Sequence, residues 1–90
     1  MSPQDVVRTR ECAYNIVIEP AEEGGYVVTC PSLRGLATQG ETLEEARAMA
    51  ADAIEGYLEL LREDGLPLPA SDEPSAGPFR DRVTIKLQTG

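Results

Sequence analysis

Two periodicities divide the chain. Tyr14, Ile16 and Ile18 alternate with Asn15, Val17 and Glu19, the period-2 spacing of a strand that buries one face. Pro20 closes that strand. Glu22-Glu23-Gly24-Gly25 supplies the positive-φ residues of a hairpin loop, and Tyr26-Val27-Val28-Thr29-Cys30 is a second aromatic and β-branched run, so the two runs predict a β-hairpin. Pro31 ends the second strand because it donates no ladder hydrogen bond, and Leu36-Ala37-Thr38-Gln39 leaves room for a brief third strand before Gly40.

From Thr42 onward the period becomes 3.6. Thr42 followed by Glu45 is a capping box: the threonine oxygen accepts from the Glu45 amide, and the Glu45 carboxylate reaches back to the Thr42 amide. Leu43, Ala46, Ala50, Ala53, Ile54, Tyr57, Leu58 and Leu61 then share one helical face, while Glu44, Glu45, Asp52, Glu55, Glu59 and Glu63 share the other. Gly65 and Pro67 stop the helix near Asp64. Pro67, Pro69, Pro74 and Pro78, mixed with Ser71, Ser75 and Gly77, read as an extended, mobile connection. Val83, Ile85 and Leu87 alternate in a last strand.

The expected fold is therefore α+β in the order βββαβ: a three-stranded antiparallel meander, a fourth strand beside the first, and one helix packed on one face of the sheet. Residues 1–90 read as a single domain, with a flexible arm over 1–11, a βββα core over 12–66, the proline-rich connection over 67–80 and the final strand over 81–88. One helix covers one sheet face, so apolar surface is expected on the uncovered face, and such a patch marks an interface.

Composition narrows the function. A chain of 90 residues buries proportionally little surface, which makes self-association an expectation. The stripe Met49, Gly56 and Leu60 beside the main apolar helix face serves either the core or a subunit contact, and Val83 and Ile85 are the strand residues placed with it in a homodimer or higher homo-oligomer. The net charge of −8, from 16 acids and 8 bases, disfavours direct nucleic-acid binding and favours basic protein partners. Eight acids and two arginines lie between Glu41 and Asp64, a net of −6 on one element, which steers a basic partner and raises its association rate. Glu44, Asp52, Glu55 and Glu59 are the candidate partner-binding residues.

Catalysis finds little support. No histidine is present, which removes the side chain best suited to proton transfer near neutrality and the commonest metal ligand. Asp52, Glu55 and Glu59 have the spacing to share a magnesium ion, but an acidic helix face is convex and lacks the cleft that such a site needs. No metal, cofactor or catalytic residue is expected. The glycines match neither a phosphate loop nor a dinucleotide fingerprint. Cys12 and Cys30 are expected as reduced, half-buried thiols rather than a bridge. No apolar run reaches the roughly 18 residues of a membrane span and no secretory signal is evident, so a cytoplasmic location is expected.

Several marks recur together: Tyr14-x-Ile16-x-Ile18-Glu19-Pro20, Gly24-Gly25-Tyr26-Val27-Val28, Pro31-Ser32-Leu33-x-Gly35, Thr38-Gln39-Gly40-x-Thr42-Leu43-Glu44-Glu45-Ala46 and Asp64-Gly65-x-Pro67-x-Pro69. In order and spacing they resemble the HicB antitoxin family, in its N-terminal domain of degraded ribonuclease H-like fold. The resemblance implies three strands, a helix and a fourth strand. It also implies a protein that binds and blocks HicA, a small basic RNA-cleaving toxin that needs no metal, in a type II toxin-antitoxin system. Gly35-Leu36 stands where the family usually has Gly-Cys, a change of packing. Ile16 and Val17 occupy the first strand where true ribonuclease H carries a catalytic acid, so nuclease activity is not implied. Family members usually continue into a DNA-binding segment; with Gly90 following the last expected strand, operator binding is not expected. A stand-alone oligomeric scaffold without a toxin is the alternative, and a carboxylate-dependent hydrolase is a weaker third.

Overall fold

The long first strand, β1 (Thr9–Pro20), is the centre of the sheet: β2 (Tyr26–Thr29) pairs with its C-terminal end and β4 (Arg80–Gln88) with most of its length. β3 (Ala37–Gly40) pairs with β2, giving one antiparallel sheet in the order β3-β2-β1-β4. Helix α1 (Leu43–Glu63) connects the two edge strands across one face. The computed structural model describes residues 9–74, 77 and 79–88.

The expected α+β meander with the last strand beside the first is therefore the observed architecture. Alternation decides which side of each strand is buried. Cys12, Tyr14, Ile16 and Ile18 of β1, Val28 of β2, and Val83, Ile85 and Leu87 of β4 face α1, which returns Ala46, Ala50, Ile54 and Leu58. Leu43, placed on the helix's apolar face by its spacing, is instead exposed at the start of α1. Both cysteines are free and fully inside rather than half-buried.

The passage from β3 into α1 is set by close backbone contact. A Cβ on Gly40 would fall 2.4 Å from the Ala46 nitrogen, and one on Gly25 would fall 2.8 Å from the Gly40 carbonyl oxygen. The hairpin loop, the end of β3 and the first helical turn are thus stacked backbone on backbone. Thr42 is the N-cap, its Oγ1 accepting from Glu45 N at 3.0 Å, an arrangement that stabilises a helix by about 1 kcal/mol. The reciprocal arm differs from expectation: Glu45 Oε1 accepts from Glu41 N at 3.3 Å, not from the Thr42 amide. With Gly40 pressed against the first turn, the Glu41 amide is the donor within reach. At the other end Leu66 N donates to Leu61 O and Gly65 N to Arg62 O, with Gly65 at φ 69°, the Schellman pattern that satisfies the last carbonyls.

Two stretches are more ordered than their composition predicts. Residues 9–11, read as part of a loose arm, belong to β1 because Thr9, Arg10 and Glu11 pair with Gln88, Leu87 and Lys86; residues 1–8 lie outside the described residues. The segment after α1, read as mobile, is tied to β1 where β2 is too short to reach. Asp72 N donates to Ala13 O at 2.8 Å, Ala13 N donates to Ser71 Oγ at 3.0 Å, and Asn15 N donates to Asp72 Oδ2 at 2.9 Å. Tyr14 Oη donates to Pro69 O at 2.7 Å, and Ser32 Oγ donates to Asp72 Oδ1 at 2.5 Å. A short strap thereby fills the lane beside β1 that a longer β2 would have taken.

Candidate functional site: two charged faces

Helical geometry places Glu44, Asp52, Glu55 and Glu59 along the outer side of α1, opposite the core, and all four are exposed. Glu59 forms an i,i+3 ion pair with Arg62, Oε1 to Nη1 at 3.4 Å. The four carboxylates line a convex ridge. Among the described residues no group of three or more aspartate, glutamate or cysteine side chains converges as a metal site would. What this ridge offers is a field: negative charge on exposed side chains, able to attract a cationic surface over about a Debye length.

The five residues expected to mediate self-association do not come together. Met49 and Leu60 are 45% and 62% exposed, and Gly56 between them faces open space. These three form an apolar strip on the flank of α1. Val83 and Ile85, at 8% and 7% exposure, are beneath the same helix in the chain's own core. The uncovered sheet face is also not the apolar surface expected of it. Glu11, Asn15, Glu19, Thr29, Arg82, Thr84 and Lys86 occupy it, with Val17 and Val27 as its larger apolar members. Alternation in β4 sends Val83, Ile85 and Leu87 inward and leaves the basic residues outside.

That arrangement creates a second feature which charge counting along the chain missed. Of the chain's 8 basic residues, Arg80, Arg82 and Lys86 fall at alternate positions of β4, while the acids crowd onto α1. Beside them a groove of about 820 Å³ runs between the first half of α1 and the start of β4, with Leu43, Ala48, Ala51 and Phe79 among its apolar walls. Arg47 and Asp81 bridge it, Nε to Oδ2 at 2.8 Å. Phe79, 57% exposed, sits at φ 62° and its carbonyl accepts from Ile18 N at 2.7 Å. The period-2 reading of β4 contained the signal, since its even positions are Arg, Arg, Thr, Lys and Gln.

Cys30 is the described group whose titration is displaced. Burial pushes its thiol up, against the lowering effect of the Leu33 and Ser32 backbone amides, and the nearby Asp72 carboxylate adds to the rise. A neutral, buried thiol is a packing group and a poor nucleophile.

The family model described as HicB_like antitoxin of bacterial toxin-antitoxin system matches residues 14–76. The chain is 47% identical over 58 residues to the antitoxin HicB 1 of Photorhabdus laumondii, a match covering 62% of this chain and 37% of that protein. It is 41% identical over 59 residues to the UPF0150 protein ssr1765 of Synechocystis, covering 66% of this chain and 75% of the relative. The crystal structure of the N-terminal domain of Burkholderia pseudomallei antitoxin HicB superposes with a TM-score of 0.67 at 24% identity, covering 81% of this chain and 94% of that one. The crystal structure of the Burkholderia pseudomallei antitoxin HicB gives 0.63 and is covered over 62% of its length. At these identities the two structures establish a common fold.

Proposed function

Because this chain belongs to the HicB-like antitoxin family of bacterial toxin-antitoxin systems, we propose that it binds and neutralises a small, basic, RNA-cleaving HicA-like toxin in the cytoplasm. The observation that carries the reading is the acidic ridge of α1. Glu44, Asp52, Glu55 and Glu59 are exposed, and a protein that cleaves RNA must present cations to a phosphate backbone. Covering that cationic surface with fixed carboxylates both blocks RNA and speeds encounter. Inhibition of this kind needs no chemistry from the antitoxin. The exposed strip of Met49, Gly56 and Leu60 suits a homotypic contact, with the active species a homodimer or higher oligomer.

The test is coexpression with the small basic reading frame adjacent to the gene. The protein should restore growth and co-purify with the toxin. Reversing Glu55 and Glu59 to lysine should slow association at least tenfold at low salt, with a smaller loss at high salt. Failure of rescue together with failure to co-purify overturns the proposal. Unchanged association by the charge-reversed protein would move the contact off α1.

A further inference from the structure

The outer edge of β4 is unpaired among the described residues, and three features around it converge. Odd-numbered residues of β4 turn their backbone toward β1, as the hydrogen bond from Ile18 N to Phe79 O shows at the start of the strand. The even-numbered residues Arg82, Thr84 and Lys86 therefore direct their amides and carbonyls outward. One outward donor is already taken: Asp81 Oδ1 accepts from Arg82 N at 2.8 Å while its other oxygen holds Arg47. Among the described residues nothing bonds the outward amide or carbonyl of Thr84 and Lys86, so both groups are available to an added strand.

The groove lies alongside this edge on the helix side and reaches Val83 and Thr84. A strand laid on β4 would drop alternate side chains toward Ala48 and Ala51 in that groove. Its other side chains would stand on the open face beside Arg80, Arg82 and Lys86. We propose that the β4 edge and the adjoining groove receive an extended segment of a partner protein in which acidic residues alternate with apolar ones.

Charge selects that occupant over a second copy of this chain. A two-fold antiparallel pairing of β4 must keep even positions opposite even positions for the faces to match. Centred on Thr84, it sets Arg82 against Lys86, and centred on Val83, Arg80 against Lys86; centred on Ile85, it sets Lys86 against Thr84 but still brings the cations of both copies onto one face. Like charges directly opposite are destabilising, and edge cations are a common guard against homotypic pairing. The same row attracts carboxylates. Main-chain hydrogen bonds would supply affinity, and the groove and the basic row specificity, as in other strand-addition complexes. This inference stands apart from the antitoxin reading, since it uses the β4 edge and the flank of α1 that carries Ala48 and Ala51, not the outer carboxylates Asp52, Glu55 and Glu59.

Two peptides test it against the ¹⁵N-labelled full chain: an acetylated, amidated Glu-Val-Glu-Leu-Glu-Val and its counterpart with lysine for glutamate. The acidic peptide should slow exchange of the Thr84 and Lys86 amides at least tenfold and bind at least tenfold more tightly than the basic one. Thr84→Pro should abolish the effect without breaking the β1 ladder, because the amide it removes points outward. The double variant Arg80→Glu and Lys86→Glu, which leaves the backbone intact, should invert the peptide preference and decides the matter if the proline variant does not fold. Equal binding of both peptides, no binding of either, or contacts mapping to the outer carboxylates Asp52, Glu55 and Glu59 of α1 rather than to β4 and the groove overturns the proposal. So does protection of Thr84 and Lys86 by self-association without peptide, or displacement of the peptide by a short DNA duplex.

Discussion

Gly40 is where a single atom has the largest structural consequence. Its missing Cβ leaves room for Ala46 N, Ala46 Cα and the Glu45 carbonyl carbon, all of which a side chain would approach within 3 Å. Those atoms are helix backbone and have nowhere to move without shifting α1 from the sheet. Gly40→Ala should therefore cost about 2 kcal/mol or more, within the usual range for forced overpacking, seen as a lower urea midpoint at unchanged slope. Gly56→Ala, placed in open space on the same helix, is the control and should be neutral or stabilising. Cys30 gives a second prediction. Its thiol is pushed above the ordinary range by burial, so the unfolded chain releases this proton at a lower pH than the folded one. Stability from this group is thus full below the ordinary thiol pKa and falls as pH rises through and beyond it. Denaturation midpoints should drop on the alkaline side, and Cys30→Ala should flatten that drop even if it lowers stability overall.

Among the elements, the strap after α1 departs most from its composition. Its prolines prevent a helix and its serine and aspartate resemble loop residues, yet Ser71 and Asp72 satisfy Ala13 and Asn15 of a central strand whose neighbour is only four residues long. Unpaired amides in the middle of a sheet are costly, and the strap meets them with side chains as well as backbone. Asp72→Ala should destabilise by about 1–2 kcal/mol and speed exchange at Asn15 while the helix amides remain protected. Uniform loss of protection across the fold would show the strap to be part of the cooperative core rather than a local clamp. α1 itself needs no such explanation. Its capping threonine, its 3.6 period and the Gly65 stop are local signals, and its ends fall where those signals place them.

The whole molecule separates its charge by face. Carboxylates follow α1 and three cations follow β4, so a net charge of −8 conceals a basic edge. On the two proposals above, the ridge meets a cationic partner and the β4 edge an anionic one. Self-association belongs at this scale too. The strip of Met49, Gly56 and Leu60 predicts a mass above 9.7 kDa by light scattering, and Leu60→Glu should return the protein to a monomer. A monomer before substitution would reassign the strip to another partner. Val83 and Ile85 cannot share in that contact while α1 covers them.

Order of elements, strand and helix type, the alternation within each element and the helix ends were determined by the sequence alone, because each depends on neighbours within one turn or one pleat. The family resemblance was legible for the same reason, its marks being turns, caps and strand alternations. Tertiary structure decided which sheet face α1 covers, the role of the strap, and the edge at which β4 lies open. The covered face sent Val83 and Ile85 inward and Arg80, Arg82 and Lys86 to the surface. These facts depend on contacts between residues more than fifty positions apart, such as Asn15 with Asp72 and Asn15 with Arg82. Local periodicity carries no information about such pairs; the closing of the sheet supplies it.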